Sequence, residues 1–203
     1  LETQESARIF EGSNIAFAVA WSPDGKFIAG SEDYLIRIWD VDKHREIAVL
    51  PGHESGVVHL RFSHDGRLLV SYGWDGKSII WELATLRPLL RLDVQTPAFS
   101  SDDQTLAGLV SREGKFTVNI LDMLNGDYFD FVSTELGIEA AVGSGSAVHP
   151  NGRIAVCGVH RRADESSGLQ CFDVAQRTCI GSGRCGKVET MRFNSIGTSL
   201  YTA

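Results

Sequence analysis

The chain has 203 residues, 43% hydrophobic and 22% charged, which is enough apolar content for a packed core and too much for a disordered segment. Its formal net charge of −7 argues against a phosphate-neutralising surface, so nucleic acid is not an expected partner. No apolar run approaches the roughly 18 residues of a membrane-spanning helix, so no membrane association is expected either.

From the first residues onward the apolar positions alternate with period two, as half-buried strands require. Phe17, Val19 and Trp21 alternate with Ala18 and Ala20, and the turn Trp21-Ser22-Pro23-Asp24-Gly25 follows. Phe27–Gly30, Ile36–Trp39 and Glu46–Leu50 then read as three more short strands. The turn returns as Phe62-Ser63-His64-Asp65-Gly66, and more loosely as Phe99-Ser100-Ser101-Asp102-Asp103, Val148-His149-Pro150-Asn151-Gly152 and Phe193-Asn194-Ser195-Ile196-Gly197. Measured at the fifth residue of each turn, the steps are 41, 37, 49 and 45 residues. A second landmark keeps the same order: Trp39-Asp40, Trp81-Glu82, Leu121-Asp122 and Phe172-Asp173. No stretch keeps a 3.6-residue period over ten positions, so helices should be few. A four-stranded antiparallel unit recurring about every 40 residues is a β-propeller blade, whose small sheet buries its faces only against its neighbours. The expected fold is therefore all-β, an incomplete propeller.

With Gly52-His53 opening the second unit and Trp81-Glu82 closing its third strand, the chain resembles the WD-repeat family over essentially its whole length. In that family the strands of a blade are lettered a to d outward from the central channel. The resemblance places them at about 57–62, 68–72, 78–81 and 88–92 in the second unit. Residues 1–13 align on 41–53 at a constant offset of 40 and are expected to be the outer strand of a preceding blade. Blades are expected at about 14–53, 54–93, 94–134 and 135–183, with a partial blade at 184–203. On this reading the native protein continues in both directions.

The resemblance also implies that His53, Ser71, Asp75 and Trp81 form a structural hydrogen-bond network. The rival, a Ser-His-Asp hydrolase, lacks a G-x-S-x-G elbow and puts Ser71 in mid-strand. In the first unit Asp33 and Trp39 are kept, but Ser13 and Ala29 stand in the other two places. Gly181-Ser182-Gly183-Arg184-Cys185-Gly186 matches G-x-G-x-x-G, yet the residues after it alternate as a strand where a dinucleotide site needs a helix. It reads as a loop between blades, and no cofactor is expected. Cys157, Cys171, Cys179 and Cys185 contain no C-x-x-C pair, so zinc is not expected; they read as reduced, mostly buried thiols, which fits a cytoplasmic location. His64 and His149 read as surface residues, and Asp102-Asp103 as solvated turn formers.

The repeat lengthens in two places. In the fourth unit 20 residues separate Gly152 from Phe172, against 14 and 15 in the first two, and the extra residues fall at 160–167. The stretch 135–139 lengthens the preceding loop. The family arrangement puts d–a and b–c loops on one face, the top, together with Tyr34 and Trp74. Tyr34, Trp74, His160, Arg161 and Arg162 are therefore the candidate protein contacts. The expected function is a protein-interaction scaffold with no catalysis of its own. The alternative is the regulatory or sensing propeller segment of a larger, bacterial multidomain enzyme such as a protein kinase. Expected partners are other proteins, with self-association through unpaired terminal blades as a further expectation.

Overall fold

The computed structural model describes residues 16–112, 115–124, 126, 128–132, 141–149, 154–161, 167–173, 176, 178–185, 191–193 and 198–202. Its regular elements are all strands. The first sheet is a meander of β1 (Val19–Trp21), β2 (Phe27–Glu32), β3 (Leu35–Asp40) and β4 (Arg45–Pro51). The second joins β5 (Val57–Phe62), β6 (Leu68–Gly73), β7 (Ser78–Glu82) and β8 (Arg87–Leu92). The third joins β9 (Gln95–Phe99), β10 (Thr105–Arg112), β11 (Lys115–Asp122) and β12 (Tyr128–Val132). The fourth joins β13 (Ala141–Val148), β14 (Ile154–Arg161), β15 (Ser167–Asp173) and β16 (Thr178–Cys185), and β17 (Met191–Phe193) pairs with β18 (Leu200–Thr202). All pairings are antiparallel, and in the second sheet the strands match the expected ones to within a residue.

The recurring turn folds for a reason visible in its side chains. Ser22 Oγ donates to Asp24 Oδ1 at 2.7 Å and accepts the Phe27 N–H at 2.9 Å, while Asp24 Oδ1 accepts the Lys26 N–H at 3.1 Å. Ser63 and Asp65 repeat the scheme at 2.7 Å, and Ser100 and Asp102 at 2.6 Å. The third turn, loose in sequence, thus keeps the Ser-x-Asp pattern that does the work. Its fifth residue sits in the left-handed region, with φ of 72° at Gly25, 71° at Gly66 and 56° at Asp103. Asp103 accepts that conformation and gains a role: its carboxylate receives the N–H groups of His64 and Asp65 at 2.9 and 2.8 Å and the His64 imidazole at 2.9 Å. It therefore ties the turn of the third sheet to that of the second. Asp103 is not a solvated turn former, because its side chain is almost wholly buried against the neighbouring turn.

The core lies in the seams between sheets. Alternation sends Leu69 and Trp81 to one side of the second sheet and their neighbours Val70 and Ile80 to the other. Leu69, Ile79, Trp81, Val57, Leu60 and Phe62 pack with Ala29, Ile36, Ile38 and Leu50 of the first sheet. Val70 and Ile80 pack with Phe99, Leu106 and Leu121 of the third. Ala98, Ala107, Leu109 and Ile120 meet Val148, Ala155 and Phe172 of the fourth, and Ala147 and Val156 meet Met191. Each large side chain shut into a seam contributes about 1.5–3 kcal/mol by removal of apolar surface from water. At β1 the small residues Ala20 and, just before the strand, Ala18 pack against the first seam, whereas Val19 and Trp21 face outward and are exposed.

The Gly181–Gly186 stretch is corrected by the structure. Gly181 to Cys185 belong to the outer strand β16, whose Gly183 lies opposite Leu169, and are not part of a loop. A Cβ on Gly168 would come within 2.9 Å of the Gly183 carbonyl oxygen, so the close approach of β15 and β16 requires glycine at 168.

Candidate functional site

His53 lies in the loop after β4, Ser71 in the middle of β6, Asp75 in the turn after β6 and Trp81 in β7. The fold brings the four together. The Trp81 indole N–H donates to Ser71 Oγ at 2.9 Å, and Ser71 Oγ lies 2.7 Å from His53 Nε2. His53 Nδ1 lies 2.9 Å from Asp75 Oδ2, and the same oxygen accepts the Glu54 N–H at 2.9 Å. With imidazole protonated at Nδ1 the chain closes without an orphan: indole to hydroxyl, hydroxyl to Nε2, Nδ1–H to carboxylate. Burial opposes the charge on Asp75, but the N–H groups of Glu54 and Lys77 and the His53 ring outweigh it and hold its carboxyl below the usual range.

Serine, histidine and aspartate stand here in the order of a hydrolase triad, yet the surroundings suit a brace. Ser71 is fully buried, and its oxygen is occupied by the Trp81 indole, so no substrate can approach it. What the chain of bonds achieves is mechanical: it fixes the loop carrying His53 and Glu54 to the turn carrying Trp74 and Asp75. Glycines make room for it. A Cβ on Gly73 would lie 2.8 Å from His53 Nδ1, and one on Gly52 would lie 2.8 Å from the Trp81 ring.

On the outer side of this brace stands an aromatic rim. Trp74 is 62% exposed, Tyr34 52% and Phe17 42%. Phe17 meets the Trp74 ring edge-to-face, with centroids 4.8 Å apart and planes at 60°. The Trp74 N–H donates to the Gly56 carbonyl at 2.9 Å, and the indole lies over Gly56 so closely that a Cβ there would sit 3.0 Å from Cε3. Next along the chain, the Val57 N–H donates to the Asp33 carbonyl at 2.8 Å, which holds the turn bearing Tyr34 against the start of β5. At the turn that follows Trp74 lies a groove of about 340 Å³ lined by Glu54, Asp75, Lys77, Arg91 and Asp93. Lys77 pairs with Asp93, and Arg91 donates to the Gly52 carbonyl at 2.7 Å.

Two of the candidate contacts, Tyr34 and Trp74, therefore lie on adjacent turns of the same face. His160 and Arg161 are the last residues of β14, whereas Arg162 and the lengthened segment 135–139 lie outside the described residues. Phe17 and Glu54 were not singled out from sequence: Phe17 reads as one more alternating strand residue, and nothing in the pattern marks Glu54. His149 is half-buried, stacked edge-on against Phe193 at 5.0 Å, and so is not a plain surface residue. Cys171 and Cys179 are free thiols; Cys179 is exposed rather than buried, and burial pushes the Cys171 thiol up, with Cys179 adding to the effect. Among the described residues no three His, Cys, Asp or Glu side chains gather as a metal would need.

Four-stranded antiparallel meanders packed face to face around their first strands define a β-propeller. Residues 4–40 and 44–82 match the family model described as WD domain, G-beta repeat. The chain is 36% identical over 85 residues to guanine nucleotide-binding protein subunit beta-5b of Danio rerio, covering 40% of this chain and 22% of that protein. It is 34% identical over 70 residues to transcription initiation factor TFIID subunit 5 of Caenorhabditis elegans, covering 34% of this chain and 11% of that protein. Over 46 residues it is 48% identical to the general transcriptional corepressor TUP1 of Saccharomyces cerevisiae, covering 22% and 6%. The chain thus matches less than a quarter of the length of each of these relatives. In fold it is similar to the β-propeller domain of Cps50 (Swd1) from Myceliophteria thermophila, with a TM-score of 0.75 at 18% identity, covering 94% of this chain and 63% of that one.

Proposed function

We propose that this chain is a protein-interaction module in the cytoplasm that carries out no reaction itself and binds partners through the face bearing Tyr34, Trp74 and Phe17. The observation that supports this most is the exposed, backbone-anchored pair of Phe17 and Trp74. Large aromatic surface is costly to leave in water, and a rigid aromatic loses little entropy on binding, which makes it a good anchor. The named relatives point the same way, since two of them are subunits of larger assemblies by name. His160, Arg161 and Arg162 would extend the same face.

The test is affinity capture from cells with wild-type chain, with Trp74→Ala plus Tyr34→Ala, and with Arg161→Glu plus Arg162→Glu. Thermal melting of each variant confirms that the fold is kept. Loss of the co-purifying proteins in the aromatic variant supports the reading; full recovery with both variants refutes it.

A further inference from the structure

We propose that the partner segment received at the Trp74 rim is positively charged, with an arginine seated against the indole and the Glu54 carboxylate. The inference rests on the aromatic rim being the interaction surface and adds the chemistry of its occupant.

Three observations carry it. The groove at the turn that follows Trp74 is lined by three carboxylates, those of Glu54, Asp75 and Asp93, against two cations. Both cations are already engaged: Lys77 pairs with Asp93, and Arg91 donates to the Gly52 carbonyl. The Glu54 side chain, which is exposed, has no such partner among the described residues, although its N–H is fixed to Asp75 at 2.9 Å. Negative charge is thus left over at the rim. Lys77 reports the sign of the local field: Asp93 first, then Asp75 and Glu54, raise its ammonium above the ordinary range.

The second ingredient is the indole. It lies over Gly56 and is met on its edge by Phe17, so its position is set before any partner arrives. A guanidinium is planar, weakly hydrated and able to stack on an aromatic face while donating to a carboxylate, which fits an indole packed on Gly56 and the exposed Glu54 of the same loop. An acidic segment would meet the uncompensated Glu54, and a purely apolar one would leave the Glu54 charge partly desolvated and unpaired.

The probes are three acetylated decapeptide amides, (Gly-Arg)5, (Gly-Leu)5 and (Gly-Glu)5, titrated against the 203-residue chain with tryptophan fluorescence and calorimetry as readouts. The expected result is that (Gly-Arg)5 binds at least about fivefold tighter than the other two and weakens as salt is raised. Trp74→Ala and Glu54→Gln should each weaken it by about three- to tenfold. Lys77→Ala should tighten it, because Asp93 is released; a merely structural role for these residues would not give that sign. Equal or tighter binding of (Gly-Leu)5 or (Gly-Glu)5, or unchanged affinity in both Trp74→Ala and Glu54→Gln, overturns the proposal. If cellular partners are lost with the aromatic variant while (Gly-Arg)5 shows no preference, the rim remains the interaction surface and only its cationic occupant falls.

Discussion

Replacing Ser71 by alanine tests the brace at its centre. One oxygen atom serves two buried partners, the Trp81 indole N–H at 2.9 Å and His53 Nε2 at 2.7 Å. Trp81 is 1% exposed and the His53 side chain is fully buried, so neither can turn to bulk water when the hydroxyl is gone. Each stranded polar group costs about 1–3 kcal/mol, whereas the lost hydroxyl contributes little by volume. The expected destabilisation is therefore about 2–4 kcal/mol, or a fall in Tm of roughly 5–15 °C for a chain of this size. Urea and thermal unfolding followed by tryptophan fluorescence measure it, and a cycle with Trp81→Phe apportions it. Since Trp81→Phe removes the indole donor, Ser71→Ala should cost about 1 kcal/mol less in that background. A cost below about 0.5 kcal/mol, or strict additivity in the cycle, would refute the reasoning that the hydroxyl joins these two groups.

His59 in β5 supplies a pH prediction. Its Nδ1 is shut from solvent without a hydrogen-bond partner, and burial first, then the charge of Arg61, lowers its pKa from 6.5 to about 3. The folded state therefore resists the proton that the unfolded chain accepts, so stability is complete above pH 6.5 and is lost as pH falls toward about 3. The loss is about 1.4 kcal/mol per pH unit, or about 2 kcal/mol by pH 5, and His59→Leu should flatten that slope in denaturation curves taken at several pH values. Asp103→Ala removes the acceptor for His64 and Asp65 and should cost about 1–2 kcal/mol in urea unfolding, with hydrogen exchange accelerated at both backbone N–H groups. Gly73→Ala would push into His53 and Asp75 and should cost about 1–3 kcal/mol, whereas Gly181→Ala, whose Cβ meets nothing, should leave Tm within a degree or two.

The strand plan was legible because it is local. Period-two alternation and Ser-x-Asp turns are written in consecutive residues, and with the strand lettering that the family resemblance implies, the strands of the second sheet could be placed to within one position. The family resemblance, in turn, allowed His53, Ser71, Asp75 and Trp81 to be grouped before their distances were known. What stayed hidden depends on residues far apart in the chain. Nothing near Phe17 announces that its ring meets Trp74, 57 positions later, and alternation alone does not say which side of β1 faces a neighbour. Asp103 looked like a solvated charge because its partners lie 38 and 39 residues earlier. The Gly181–Gly186 stretch reads as a loop between blades because the next strand follows it, but an outer strand with open space above Gly181 and Gly183 tolerates glycine.

The seams between sheets have a consequence for how so repetitive a chain finds its order. The first seam is filled by Trp81, Phe62 and a set of Ile and Leu side chains; the seam between the third and fourth sheets sets Ala98 and Ala107 of the third against Ala155 and Phe172 of the fourth. Backbones that are near copies thus carry side-chain reliefs that are not. A blade docked in the wrong place would find bulk facing bulk or a void facing a void, at a cost of several kcal/mol in overpacking or cavity. The seams act as addresses, and they keep neighbours sorted during folding while the turns on the outer rim are free to change what they bind.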